Sequence, residues 1–85
     1  MQTRVAVMSI IVENSETIGT LNALLHEYGE YIIGRMGIPY KTRNINIISI
    51  AIDAPQDKIS TLAGKIGALS GISVKTAFSG VTFDE

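Results

Sequence analysis

The clearest β-strand in this sequence is the stretch INIISIAID, residues 45–53. Alternate side chains of a strand point to opposite faces of its sheet. Both faces of this strand are apolar: one carries Ile48, Ile50 and Ile52, and the other carries Ile45, Ile47 and Ala51. Helices packed on an antiparallel sheet cover one face of it, so the sequence leaves a second apolar face to be explained.

A strand and a helix are predicted at the N-terminal side. Residues 4–13 are rich in β-branched side chains and form a strand pattern. Asn14 and Ser15 can each accept a hydrogen bond from the free amides of a new helix. The apolar residues between 18 and 28 recur at spacings of three and four, which predicts an amphipathic helix. We expect this helix to end on Gly29 as a left-handed cap.

The next segment, residues 30–38, predicts a strand that is weakened by two glycines. Residues 39–44 are polar and contain turn-forming side chains. Because this connection is short, the strand at 30–38 and the strand at 45–53 form a hairpin.

A second helix and a last strand are predicted at the C-terminal side. The helix begins at Pro55, with Asp53 or Ala54 near its N-cap, and its apolar stripe runs from residue 59 to residue 69. Gly71 follows the helix, and residues 72–78 predict the last strand. The tail at residues 79–85 either extends that strand or is loose.

The order βαββαβ predicts an α+β protein of the ferredoxin-like class. Right-handed crossovers place both helices on one face of a four-stranded antiparallel sheet. The 85 residues suit a single domain, and we expect residues 1–85 to form it.

The second apolar face predicts self-association. In the first strand Val5, Val7 and Ile11 alternate with apolar residues, so both sides of that strand are apolar as well. Contiguous exposed apolar patches usually mark an interface. We therefore expect a homo-oligomer, a dimer or a tetramer, that packs through the sheet. The alternative is a set of isolated apolar residues in contact with water, which any protein shows.

The composition excludes several function classes. Seven Lys and Arg residues against eight Asp and Glu residues give a net charge of −1, which argues against direct DNA binding. The absence of cysteine excludes a thiolate nucleophile, and a single histidine cannot by itself supply a histidine-rich metal site. No run of about 20 apolar residues is present, and no signal peptide is recognisable, so we expect a cytoplasmic protein without a membrane span.

No catalytic residues are predicted, and no cofactor is expected. His26 is the only histidine and lies late in the first helix, where a surface role is more common than a ligand role. The serines lack a neighbouring histidine base and a glycine elbow. An enzyme remains the alternative function, because small oligomeric ferredoxin-like proteins can hold a reactive cavity between helices and sheet.

Two segments are candidates for binding an effector. In the first, Arg35 stands between two glycines with Tyr40 shortly after it, and its guanidinium could bind an anion. In the second, Asn14 and Ser15 precede a helix whose free amides could also receive an anion. The structural alternatives are a bulged strand end with solvated charges and ordinary helix capping.

Three stretches give the chain a family resemblance. They are IIGRMGIPY at residues 32–40, LAGKIG at residues 62–67 and GISVKT at residues 71–76. Together they resemble the iron-only hydrogenase system regulators, and the resemblance extends from the first strand to Thr76. Members of that family are small ACT-like domains, similar in architecture to the C-terminal regulatory domain of nickel-responsive repressors.

The resemblance implies a regulatory, effector-sensing role and an oligomer. It does not imply nickel binding here, because the central hairpin offers Arg35, Met36, Tyr40 and Thr42 but no histidine or cysteine. No DNA-binding segment precedes Arg4, so a transcriptional role would be exercised through a protein partner. The function we expect is therefore a non-enzymatic regulatory module of an iron-only hydrogenase system.

Overall fold

A computed structural model describes residues 2–84. In that part of the chain four strands and two helices follow the order βαββαβ. Their bounds are β1 Gln2–Val12, α1 Ile18–Glu27, β2 Ile32–Tyr40, β3 Ile45–Ala54, α2 Gln56–Gly67 and β4 Ile72–Asp84. Short 3-10 turns lie before α1 at Ser15–Thr17, after it at Gly29–Tyr31, and between β2 and β3 at Lys41–Arg43.

The four strands form one sheet in the order β2-β3-β1-β4. Each neighbouring pair is antiparallel. This order results when each strand–helix–strand crossover skips one strand position, which is filled by a strand of the other crossover. The predicted α+β, ferredoxin-like fold is confirmed, including both helices on one face.

The core lies between the two helices and one face of the sheet. Every second residue is buried there from Ala6 to Val12 in β1 and from Ile48 to Ala54 in β3, which matches the two-residue period of a strand. The buried side chains are Ala6, Met8, Ile10, Val12, Ile48, Ile50, Ile52 and Ala54 from the sheet, and Leu21, Leu25, Ile59, Leu62 and Ile66 from the helices. Burying one large aliphatic side chain contributes about 1.5–3 kcal/mol, so these residues fix the helices to the sheet.

Two expectations about the helix ends are wrong. α1 ends at Glu27, and Gly29 begins a 3-10 turn instead of acting as a left-handed cap. Asp53 does not cap α2, because β3 continues past it and pairs Asp53 with Val5. The helix-capping position is Pro55, whose backbone carbonyl accepts from the amide of Lys58.

The tail extends β4 as far as Asp84. Its last residues pair with the start of β1, from Thr82 opposite Arg4 to Asp84 opposite Gln2. Between the pairs Arg4–Thr82 and Ala6–Phe78, β4 takes four residue steps where β1 takes two, so β4 bulges there. The tail is therefore part of the sheet.

Candidate functional site

The face of the sheet away from the helices, called the open face from here on, is the candidate site. Its members follow from the strand registers and from the alternation with buried residues. They are Val5, Val7, Ser9 and Ile11 on β1, Gly34, Met36, Ile38 and Tyr40 on β2, Ile45, Ile47, Ser49, Ala51 and Asp53 on β3, and Ser73, Lys75 and Ala77 on β4.

Large apolar side chains of the open face are in contact with solvent. The exposed fraction is 58% for Met36, 47% for Ile38, 45% for Tyr40, 41% for Ile11 and 38% for Ile47. These five residues come from three adjacent strands, so they form a contiguous patch and not scattered positions. A patch of this kind marks an interaction surface more often than a solvated one.

The open face is divided into levels, each of which contains residues directly opposite one another across the strands. The Val7 level contains Val7, Ala51, Gly34 and Ala77, and the Ser9 level contains Ser9, Ser49, Met36 and Lys75. The Ile11 level contains Ile11, Ile47, Ile38 and Ser73, and the Tyr40 level contains Tyr40 and Ile45. Side chains are therefore small to medium on the Val7 level and mostly large on the Ile11 and Tyr40 levels. The Ser9 level is small on β1 and β3 and large at Met36 and Lys75.

Two charged side chains lie on the open face within the described strands, Asp53 and Lys75. Asp53 lies level with Val5 and Lys75 lies level with Ser9 on the opposite side of β1. Within residues 2–84, the Oδ1 atom of Asp53 is buried without a hydrogen-bond partner. A buried carboxylate oxygen without a donor is costly, so this one oxygen of Asp53 is short of a partner among residues 2–84.

The Asn14–Ser15 turn is built from capping contacts. The Asn14 side-chain oxygen accepts from the backbone amide of Glu16 at 3.0 Å. The Thr17 hydroxyl lies 2.9 Å from the Asn14 carbonyl and 2.7 Å from the Ser70 carbonyl. Ser15 is exposed beside them. The turn is thus tied to the loop that follows α2, and its capping interpretation is supported.

Arg35 and Tyr40 lie on opposite faces of β2. Arg35 pairs with Ile50 on the helix side, and its Nη2 donates to Asn22 Oδ1 of α1 at 3.2 Å. Tyr40 pairs with Ile45 on the open face, at the end of the sheet where β1 also ends. Five residues of extended strand separate the two by about 17 Å. A single chain therefore does not bring Asn14, Ser15, Arg35 and Tyr40 into one pocket.

The layer between helices and sheet is filled by apolar side chains. Met8, Ile10, Ile50, Leu21 and Leu62 each have less than 2% of their surface exposed. His26, one of the groups that could serve an enzyme cavity in that layer, is exposed on α1. The buried side chains of this layer serve packing, with Tyr28 at its edge near the end of α1.

Residues 2–84 hold no group of three or more histidine, cysteine, aspartate or glutamate side chains that could ligate a metal ion. In the same part of the chain, neither helix has the length and apolar character needed to cross a membrane.

Sequence reasoning missed the role of Arg4. Its Nη1 donates to Gln56 Oε1 at 2.9 Å, its Nη2 donates to the Ser79 carbonyl, and the guanidinium lies 4.7 Å from the ring centre of Phe78. Arg4 therefore holds the bulge of β4 against the start of α2. A charged residue that opens an otherwise apolar strand was the signal available in the sequence.

The chain is similar to known proteins in sequence and in fold. The chain matches the family model described as "TM1266-like: Iron-only hydrogenase system regulator, putative" over residues 4–76. It is similar to the uncharacterized protein TM1266 from Thermotoga maritima, with 34% identity and a TM-score of 0.86 over 89% of this chain and 96% of that one. No protein of curated function matches the sequence.

A more distant likeness shows the fold alone. A formyltetrahydrofolate deformylase from Pseudomonas putida is 11% identical, with a TM-score of 0.62. The match covers 86% of this chain but only 28% of the deformylase, which is a much longer protein. The family match, which spans most of the chain from β1 into β4, is the one that identifies it: this protein belongs to the TM1266-like family of iron-only hydrogenase system regulators.

Proposed function

We propose that this protein is a non-enzymatic regulatory module of an iron-only hydrogenase system, and that it acts in the cytoplasm as a homo-oligomer. The observation that carries the proposal is the family match over residues 4–76, which covers both helices and the four-stranded part of the sheet. The apolar interior agrees with a regulatory role, because the buried side chains between the layers serve packing.

Assembly through the open face would explain why that face carries large apolar side chains. The helix layer already covers the other face, so the open face is where a second copy can pack. Burial of apolar surface stabilises an assembly by roughly 25 cal/mol per Å². Because the exposed apolar patch spans three strands, its burial by a second copy would stabilise a homo-oligomer. A homo-oligomer, dimer or tetramer, is thus the proposed working form.

A small-molecule effector is the proposed signal. Arg35 offers an exposed guanidinium beside α1, suited to a carboxylate or a phosphate. Asn14 and Ser15 offer a second place at the start of α1, and Tyr40 lies at that end of the sheet. Titration of inorganic phosphate and of succinate, followed by NMR of the backbone amides, tests both places. If the amide chemical shifts change at neither place, the protein does not bind an effector of this kind, and that part of the proposal is refuted.

Regulation is proposed to pass through a protein partner, with hydrogenase transcription as its target. The net charge of −1 gives the surface no general attraction for DNA.

The decisive experiment is disruption of the gene in a host that carries an iron-only hydrogenase. We expect hydrogenase transcript levels and hydrogen evolution to change, and the wild-type gene to restore them. Lys58→Ala, an exposed substitution on α2, serves as the matched control and should restore them equally. Unchanged transcript levels and unchanged hydrogen evolution after disruption would refute the regulatory role.

A further inference from the structure

We infer that the open face packs against the open face of a second copy in one particular register, set by a two-fold axis that crosses the strands midway between the Ser9 and Ile11 levels. This inference rests on the proposed self-association and adds the register to it. Two properties of the single chain lead to this axis, namely the distribution of side-chain size and the distribution of charge.

The first property is that large and small side chains occupy complementary levels. Rotation by 180° about this axis places each strand over its own copy and exchanges the Ser9 level with the Ile11 level. Ile11 then lies over Ser9 of the second copy, and Ile47 lies over Ser49 of the second copy. Facing layers pack densely when large residues meet small ones, and β1 and β3 meet this condition. On β2 the rotation places Ile38 over Met36 of the second copy, and the unbranched Met36 side chain can adapt to that contact.

The same rotation exchanges the Val7 level with the Tyr40 level. Tyr40 then lies over Gly34 of the second copy, and Ile45 lies over Ala51 of the second copy. A Cβ built on Gly34 meets no atom within 4 Å, and Gly34 does not have a positive φ angle. Nothing in the single chain requires glycine at that position, whereas the tyrosine ring of a second copy does.

The second property is the position of the charges. The hairpin residues Lys41 and Arg43 lie beyond the Tyr40 level, and the axis brings them towards the Asp53 end of the second copy. Their long side chains can reach the Asp53 carboxylate, whose Oδ1 lacks a donor in the described chain. Lys75 meets the Ser73 position of the second copy, so no like charges are opposed.

An axis along the strands does not have these properties. It would keep each level in place and set Ile11 and Ile47 against the same level of the second copy. Bulky side chains would then overlap at one end of the face and small ones would leave a void at the other.

The overlap has the size of a small specific contact. Fourteen open-face positions of about 4.8 Å by 6.8 Å each give a flat footprint of roughly 450 Å² per copy. Both copies together bury roughly 900 Å² before the projection of the side chains is counted, which is close to the lower limit for a specific interface. Because aligned sheets cross at about 30°, residues far from the axis are displaced most. The pairs next to the axis, Ile47–Ser49 and Ile11–Ser9, therefore stay in contact.

The test uses two variants, Ser49→Ile and Ile47→Ser, in sedimentation equilibrium. In a Ser49→Ile dimer the new isoleucine meets Ile47 of the other copy at two places, and in an Ile47→Ser dimer serine meets serine at both. Each variant should dimerise about tenfold more weakly than wild type. An equimolar mixture should form a heterodimer of near wild-type affinity, because both of its contacts pair isoleucine with serine.

The outcomes separate the register from the association itself. Unspecific apolar contact predicts that Ser49→Ile strengthens association, and this result, or a mixture without heterodimers, would overturn the register. A wild-type protein that stays monomeric at about 100 μM would overturn the self-association too, and would assign the face to a different protein. Circular dichroism of each variant shows whether its fold is retained, and the heterodimer provides a readout that misfolded chains cannot give.

Discussion

Gly71 and Asn14 are packed so closely that a side chain on residue 71 has no room. A Cβ built on Gly71 would lie 2.6 Å from the Asn14 Cβ and 3.0 Å from the Asn14 backbone nitrogen. Gly71 also has a φ of +70°, a conformation that residues with a side chain rarely adopt. The amide of Glu13 donates to its carbonyl at 2.7 Å. The loop after α2 is thereby locked onto the turn that begins α1.

Substitution Gly71→Ala should lower the free energy of unfolding by about 2 kcal/mol or more, because a strained φ and a backbone clash act together. Urea denaturation measures this effect. Gly19→Ala is the matched control: its Cβ meets open space inside α1, and alanine should raise the free energy of unfolding by about 0.5–1 kcal/mol. Equal effects of both substitutions would contradict the close packing of Gly71 on Asn14.

Thr17→Val should lower the free energy of unfolding by about 1–2 kcal/mol. The Thr17 hydroxyl is buried and shares its hydrogen between the carbonyls of Asn14 and Ser70. Valine keeps the shape but leaves both carbonyls without this donor. Thr17→Ser keeps the hydroxyl and should lose less stability than valine in thermal unfolding. If Thr17→Val lost less stability than Thr17→Ser, the hydrogen bonds of the hydroxyl would not be what connects the two loops.

Arg4→Met should loosen the end of β4 and leave the core in place. The guanidinium fixes Ser79 and Phe78 by a hydrogen bond and a cation–π contact, and methionine keeps only the apolar bulk. Hydrogen exchange of the amides of residues 79–84 should accelerate at least several-fold, while the amides of Ile50 and Ile52 keep their rates. Unchanged exchange at residues 79–84 would show that strand pairing holds the tail without Arg4.

Gly34→Val should weaken dimerisation by about tenfold without destabilising the chain. The valine side chain occupies the space proposed for Tyr40 of the second copy, and valine suits a strand better than glycine does. Gly37→Val is the matched control, since Gly37 lies on the same strand, has equally open surroundings and faces the helix side. Analytical ultracentrifugation compares the two variants. A loss of dimer in both, or in neither, would speak against the contact with Gly34.

Local sequence patterns were sufficient to predict the elements and their order. The alternation in residues 45–53 reports burial directly, because a strand has a period of two. The same alternation identified Ile45, Ile47 and Ala51 as the second apolar row, and the structure places all three on the open face. Helix ends were predicted less well, since Gly29 and Asp53 are compatible with several local conformations.

The candidate effector residues show the limit of this reasoning. Arg35 and Tyr40 are close in the sequence, but they are an odd number of residue steps apart along the strand, so they point to opposite faces. Parity along β2 already indicates this, because the bulge after Ile32 lies before both residues and the register runs unbroken from Gly34 to Tyr40. Whether either residue binds an effector stays a prediction.

The sequence by itself determined the strand and helix pattern, the two apolar rows of the sheet and the family, because each depends on the spacing and identity of neighbouring residues. Only the tertiary structure decided which residues stand level across the four strands, that Gly71 abuts Asn14, and that the Oδ1 atom of Asp53 is buried without a donor within residues 2–84. Those relationships join residues far apart in the chain, and their geometry depends on strand register and bulges that no local pattern encodes.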